Sequence, residues 1–196
     1  IDLEDVADPA VLPPGYEIEQ LARPDVAELI AALGSWFPDI RAGAASCYLR
    51  EDFYARKVFL AGEPGEERDI AVMLIRNNDE LVAMWSCERN RDTRTLYGRL
   101  GAIAPHHRGV RLTRAAMRLG EVAGRAMGAG MIYGMATLKH PFMQQTLENL
   151  GWKLVGIAPY DRDEVTPGVV KRVYEALYVK MLADEGELLR PDPESL

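Results

Sequence analysis

The sequence predicts an α/β domain of the α+β type, built on one mixed, mostly antiparallel twisted sheet of about six to seven strands with helices on both faces. Three observations carry this. Strand-like runs follow one another closely at 69–77, 80–89 and 94–104, the pattern of an antiparallel meander. Apolar residues recur at helical spacing on either side of that block, in 23–37 and 112–127. The last third reads strand, short helix, two strands, so the sheet must mix parallel and antiparallel neighbours.

The elements follow in order. "VLPPG" (Val11–Gly15) is a breaker cluster, so the ordered chain begins near Tyr16 with the strand "YEIEQL". In "RPDVAELIAALGSWF", Val26, Leu29, Ile30, Leu33 and Phe37 share one helical face. A second helix is predicted over 50–60, where Phe53, Lys57 and Leu60 fall near one face, and "GEPGEERD" ends it. Asn77-Asn78-Asp79 is a hairpin turn, because Asn and Asp tolerate the left-handed backbone such turns need; "NRDT" makes the next. A helix from about Leu112 to Met127 leads to the strand 131–137. Next comes a short helix, Pro141–Leu150, with proline pre-set in its first turn and Gly151 just past its end. Strands near 152–158 and 170–181 close the order βααβββαβαββ. The stretch "PYDRDEVTPGVVKR" between them reads as a long charged loop that closes over an acceptor or meets a second subunit.

Length suits one domain. Residues 16–182 are expected to form it, between acidic tails at 1–15 and 183–196. The net charge is −7; the two tails carry −4 each, so the stretch between them carries +1, and the acidity says little about a site. Nucleic acid is not an expected partner. No apolar run approaches the ~20 residues of a membrane span, and a cytoplasmic location is the default expectation, with a leader ahead of Ile1 left open. Cys47 and Cys87 are too few for a disulfide framework. His106 and His107 are adjacent, so their side chains should point apart, and no carboxylate or cysteine lies at ligand spacing; no metal site is expected.

The stretch "IAPHHRGVRLTRAAM" (Ile103–Met117) joins a strand to a helix through a concentration of donors. A helix start leaves N–H groups unpaired and carries partial positive charge, which suits an anion. Gly109 allows close backbone approach, Arg108 and Arg111 flank it, and Thr113 adds a donor, with Val110 and Leu112 between them. Arg114 and Arg118 continue a basic stripe at helical spacing. The alternative is a strand-to-helix loop with surface arginines. Gly120, Gly124 and Gly128 recur every fourth residue, each costing about 1 kcal/mol against alanine, which implies close packing on the sheet.

The run "IAPHHRGVRLTRAAMRLGEVAGRAMG", a strand, and "HPFMQQTLENLGWKLVG" together resemble the GNAT superfamily of acyl-CoA-dependent N-acyltransferases. The signature of that family is Gln or Arg, two residues, Gly, one residue, then Gly or Ala, between the fourth strand and third helix. Arg108 matches its first position and Pro105 stands three residues before it, as is typical. Arg111 and Thr113 stand where the family has glycine and glycine or alanine. The likeness covers 100–158 by motif and the rest by element order. It implies acetyl-CoA or another acyl-CoA as cosubstrate, no metal, and a pyrophosphate on Arg108–Arg114, with an αR backbone at Arg111 aiming its N–H at phosphate. It also implies a pantetheine arm bonded like an added strand to main chain at Gly101 and Ile103, where two parallel strands splay near Gly134.

In the family an asparagine at the start of the short helix faces the arm, and a tyrosine seven residues on protonates the departing thiolate. Aligned on Leu150-Gly151, His140 and Leu147 take these places. His140 is therefore a candidate cofactor contact and proton donor, with Tyr133 and Glu88 as further catalytic candidates. Unbroken alternation puts Tyr97, Arg99, Gly101 and Ile103 on one face. Tyr97 and Arg99 would then meet the acceptor, Arg99 favouring an anionic one unless a neighbouring carboxylate pairs with it. Trp36, Phe37, Tyr48, Phe53 and Tyr54 either line an acceptor groove or fill the core.

The activity expected is acetyl transfer from acetyl-CoA to a small-molecule or peptide amine by direct attack on the thioester. Two rivals stand beside it. One is a non-catalytic acyl-CoA-binding or regulatory domain, suggested by Leu147 and the altered glycines. The other is an enzyme for a longer acyl chain or a carrier-protein-bound donor docked on the arginine stripe. A homodimer is left open.

Overall fold

The computed structural model describes residues 12–64 and 68–188, with 192 and 194. Its strands are β1 (Tyr16–Gln20), β2 (Val58–Phe59), β3 (Ile70–Asn77), β4 (Glu80–Asn90), β5 (Thr95–Ile103), β6 (Met131–Thr137), β7 (Lys153–Thr166) and β8 (Val169–Met181). Its helices are α1 (Val26–Trp36), α2 (Glu51–Lys57), α3 (Leu112–Ala126) and α4 (Phe142–Asn149). The sheet runs β1-β3-β4-β5-β6-β8-β7, with β2 pairing the start of β3. β5 and β6 are parallel, as are β2 and β3; the other neighbours are antiparallel. The predicted fold class holds. One difference is β2, two residues at the end of the predicted second helix, where β-branched Val58 and aromatic Phe59 favour an extended backbone.

Alternation along β3 explains the two-faced core. Val72 and Leu74 join Leu29, Leu33, Tyr48 and Tyr54 under α1 and α2. Met73 joins Trp85, Leu96, Met117, Ile132 and Leu147 under α3 and α4. Because both faces are covered, β3 reads as a continuous apolar run. Trp152 at the far end donates to Glu121 Oε1 at 3.0 Å, and Lys180 Nζ reaches Glu121 Oε2 at 2.7 Å, so the one buried carboxylate of α3 is fully engaged.

Two of the three helix glycines answer to packing. A Cβ on Gly120 would lie 2.8 Å from the Trp85 ring, and one on Gly124 2.7 Å from Leu182 Cδ1. Gly128 has another reason. It adopts φ +69° just past the helix, its N–H bonding to the Arg125 carbonyl and that of Ala129 to Gly124, which is a Schellman end.

The expected charged loop at 159–172 is a correction. Those residues extend β7 and β8 into one long hairpin, with Asp163 opposite Lys171 and the turn at Pro167-Gly168. The root of this hairpin rests on the α1–α2 connection: Ala44 N–H donates to Asp161 Oδ1 at 2.9 Å, and Lys139 Nζ bridges Asp39 and Asp163 at 2.7 Å each. Of the two readings left open for the aromatics, the core is the one the structure shows: Tyr48, Phe53 and Tyr54 are core residues, and Trp36 and Phe37 pack against that core. Among the described residues, no helix is long and apolar enough to cross a membrane.

Candidate functional site

The parallel pairing of β5 with β6 covers only Thr95–Gly98 against Met131–Gly134. Beyond these glycines β5 continues to Ile103 and β6 to Thr137, so a fork opens at the carboxyl ends of the two parallel strands, where ligands of such sheets bind. The glycines form the last paired step: a Cβ on Gly134 would lie 3.4 Å from the Gly98 carbonyl oxygen. Gly101 is exposed, and a Cβ there would make only an ordinary 4.0 Å contact with Trp85.

The predicted common face for Tyr97, Arg99, Gly101 and Ile103 does not form. Ser86 pairs with Leu100 while Cys87 pairs with Gly98, so Arg99 is an extra residue, a β-bulge that shifts the alternation by one. Tyr97 and Arg99 consequently face the α1–α2 side. Gly101 and Ile103 face the α3 side, Ile103 packing beside Leu112.

From the end of β5 the chain passes through the 3-10 turn Pro105–His107 into α3. Arg108 Nε lies 3.4 Å from the Ile103 carbonyl, and its guanidinium stacks 5.1 Å over Phe37. Gly109 has φ +87°. Arg111 is the residue capping α3 and has φ +68°, ψ 15°, not the αR backbone expected of it. The chain must turn here as it does with glycine, and arginine carries roughly 1–2 kcal/mol of steric cost in that conformation. No side chain caps the helix start. Val110, Arg111 and Arg114 are exposed, Thr113 is half-buried, and Leu112 anchors the turn at 1 % exposure. Among the described residues the guanidinium groups of Arg111, Arg114 and Arg118 have no partner. Unpaired N–H groups, a glycine with open backbone and flanking guanidiniums fit a pyrophosphate.

On the other side of the fork lies a polar wall. Tyr97 and Tyr133 stack at 5.0 Å. Arg99 bonds to Glu88 and, through Nε at 3.2 Å, to the Tyr48 hydroxyl, which in turn pairs with Ser86. Burial opposes the Arg99 charge, but Tyr48 and Glu88 more than offset it and keep the guanidinium firmly protonated. Burial pushes Tyr48 up to about 12. Arg99 is thus neutralised by the protein itself, which removes the ground for expecting an anionic acceptor.

Sequence reasoning missed Glu175. It stands on β8 opposite Thr137, on the face that carries Leu177 and Val179 and, through register, Met135 and Tyr133. Burial, then the charges of Asp161 and Asp163, push its carboxyl up to about 7. Its charge acts on Tyr97, whose own pKa is raised chiefly by burial. A glutamate alternating in phase with Leu177 and Val179 was the available signal.

The α4 entry is less committed. His140 is exposed, its ring 5.1 Å from that of Phe142, and its carbonyl accepts from Gln144 Nε2 at 3.2 Å. Leu147, at the place of the family's tyrosine, is 1 % exposed within the α3–α4 core.

No family model matches the sequence, and no curated protein matches it. Solved structures do. A spermidine/spermine N-acetyltransferase from Vibrio cholerae superposes with a TM-score of 0.66 at 13% identity, covering 87% of this chain and 95% of the other. Nourseothricin acetyltransferase gives 0.57 at 16% identity, covering 86% and 99%. An IAA acetyltransferase from Bacillus cereus gives 0.59 at 10%, covering 85% and 99%. A GNAT-family acetyltransferase from Desulfovibrio desulfuricans is similar over the same span. Over this span the chain has the fold of the GNAT acetyltransferases.

Proposed function

We propose that the protein is an N-acetyltransferase that moves acetyl from acetyl-CoA to a primary amine of a cationic small molecule. The observation that carries the reading is the fork beyond Gly98 and Gly134, which opens beside the uncapped start of α3. The α3 start, Gly109, Arg111 and Arg114 hold the pyrophosphate, with Arg108, Val110, Leu112 and Thr113 shaping the turn. The main chain of Gly101 and Ile103 takes the pantetheine arm and steadies the developing oxyanion. The acidic surroundings of Glu175 draw in an ammonium group, and Glu175 accepts its proton so that the nitrogen lone pair can attack the thioester carbon. Its raised pKa suits this task, because the proton is exchanged near neutral pH. Tyr97 and Tyr133 flank the path, and the Glu88–Arg99 pair fixes the wall rather than the proton. The thiolate leaves as an anion, its pKa of about 8.5 being close enough to neutrality to need no strong acid, with His140 the available donor.

Similarity to a spermidine/spermine N-acetyltransferase supports a di- or polyamine as the first acceptor to try. The test is release of free thiol from acetyl-CoA in the presence of a panel of diamines and polyamines. Amine-dependent release is expected. Stabilisation by acetyl-CoA with no release from any amine would favour a second reading, an acyl-CoA-binding domain without turnover, which the burial of Leu147 at the acid's place supports.

A further inference from the structure

The sequence separates Glu80 from His106 and His107, and the sheet brings them together. β4 starts where its antiparallel neighbour β5 ends, so the Asn78-Asp79 turn and the Pro105–His107 turn lie at the same end of the sheet. The Ala104 N–H to Val82 carbonyl bond, 2.8 Å, holds the second turn against β4. His106 Nε2 then lies 2.8 Å from Glu80 Oε1, and His107 Nε2 3.9 Å from Glu80 Oε2. One nitrogen from each ring and a carboxylate oxygen all fall within 4.8 Å of one another. The expectation that adjacent histidines point apart fails because a tight 3-10 turn, not a strand, carries them; their ring centroids are 4.6 Å apart.

We propose that Glu80, His106 and His107 form a binding site for a divalent cation of the zinc class. Two imidazole nitrogens and one carboxylate oxygen are a donor set that zinc takes at about 2.0–2.2 Å per ligand. Ligand atoms around one tetrahedral ion therefore sit roughly 3.3 Å apart, which lies inside the spread seen here and needs only side-chain adjustment. Magnesium and calcium prefer all-oxygen sets and are disfavoured. The site also has the outer support that metal-binding histidines require: His107 Nδ1 is hydrogen-bonded to the Tyr16 hydroxyl at 2.9 Å, and the two rings meet edge to face. With Nδ1–H donating to Tyr16, the Nε2 lone pair is left for the ion. The His107 side chain is only 14% exposed, so its ring is already held, whereas His106 and Glu80, at 60% and 54%, leave the fourth position open to solvent. An ion here would tie the β3–β4 turn to the root of the Arg108–Arg111 loop. None of the three residues belongs to the transfer machinery proposed above.

The test is a calorimetric titration of chelator-treated full-length protein with zinc chloride, repeated with cobalt chloride read by visible absorption. One zinc per chain is expected, with a rise in Tm, and a cobalt band characteristic of low coordination number. His106→Ala and Glu80→Gln should each weaken zinc binding at least tenfold and abolish the cobalt band while leaving the far-ultraviolet circular dichroism unchanged. Cys47→Ser and His140→Ala should leave both signals intact. Absence of zinc binding to the unsubstituted chain, or equal binding by the His106→Ala and Glu80→Gln variants, overturns the proposal.

Discussion

The two walls of the fork are built on different principles. The α3-side wall is consecutive chain: the end of β5, one turn and the start of α3 supply it within residues 100–114, and among the described residues the guanidiniums of Arg111 and Arg114 have no partner. The opposite wall draws Tyr48, Glu88, Arg99, Tyr133, Asp161 and Glu175 from separate elements, and its charges are paired or perturbed by one another. Under the proposed function, the constant part of the ligand is the one met by local backbone geometry, and the variable part the one met by side chains gathered from across the sheet.

Substitutions can break this contrast, the largest effect falling on the gathered wall. Glu175→Gln should lower kcat/KM by roughly 10²–10⁴-fold, the range for a lost general base, while leaving acetyl-CoA affinity unchanged. In the unsubstituted protein kcat/KM should rise with pH through about 7 and then level off, and the variant should lose that limb. The sign for stability is opposite. The folded state keeps this proton up to about 7 whereas the unfolded chain releases it near 4.5, so the native state loses stability as pH rises through that window. The variant should therefore melt higher than the parent above pH 7 and alike below pH 4.5; equal melting curves at both would remove the case for a perturbed Glu175.

Leu147→Tyr tests whether the family's acid can simply be restored. Leu147 is enclosed by core, so the larger ring should destabilise by about 1–3 kcal/mol in denaturant titration without raising kcat. A gain in kcat would show that the position reaches the fork. On the consecutive wall, Arg111→Glu should weaken acetyl-CoA binding about tenfold, equivalent to ~1.4 kcal/mol, with most of the loss disappearing at high salt. Arg111→Gly should stabilise the fold by up to about 1 kcal/mol, because glycine adopts φ +68° without steric cost, while weakening binding by less than the glutamate does. Unchanged stability in that variant would mean the strained backbone is relieved elsewhere.

Much of the consecutive wall was legible because its physics is local. The strand ending at Ile103 and the start of α3 at Leu112 follow from periodicity and from the donors crowded into one turn. The Arg111 backbone was misjudged because arginine gives no local sign of a left-handed conformation; only the spacing to the family's glycine hinted at it. The gathered wall was largely illegible. The bulge at Arg99 is a property of how β4 meets β5, not of either strand alone. The outer part of the β7–β8 hairpin looked like a loop because charged residues crowd it, Asp161 to Glu164 on one strand and Lys171-Arg172 on the other, leaving no period-2 apolar pattern to read. Glu80 and His106 are 26 residues apart, and only the strand pairing brings them within 2.8 Å.

Gly43 joins the hairpin to the α1–α2 connection so closely that any side chain there would overlap the Arg162 carbonyl, and its φ of +88° suits glycine alone. That contact divides the hairpin into an anchored root and a projecting tip, where Val165, Val169 and Val170 are 40–46% exposed. The tip can thus vary in length or charge beyond Glu164 while the footing of its root on Gly43 stays the same.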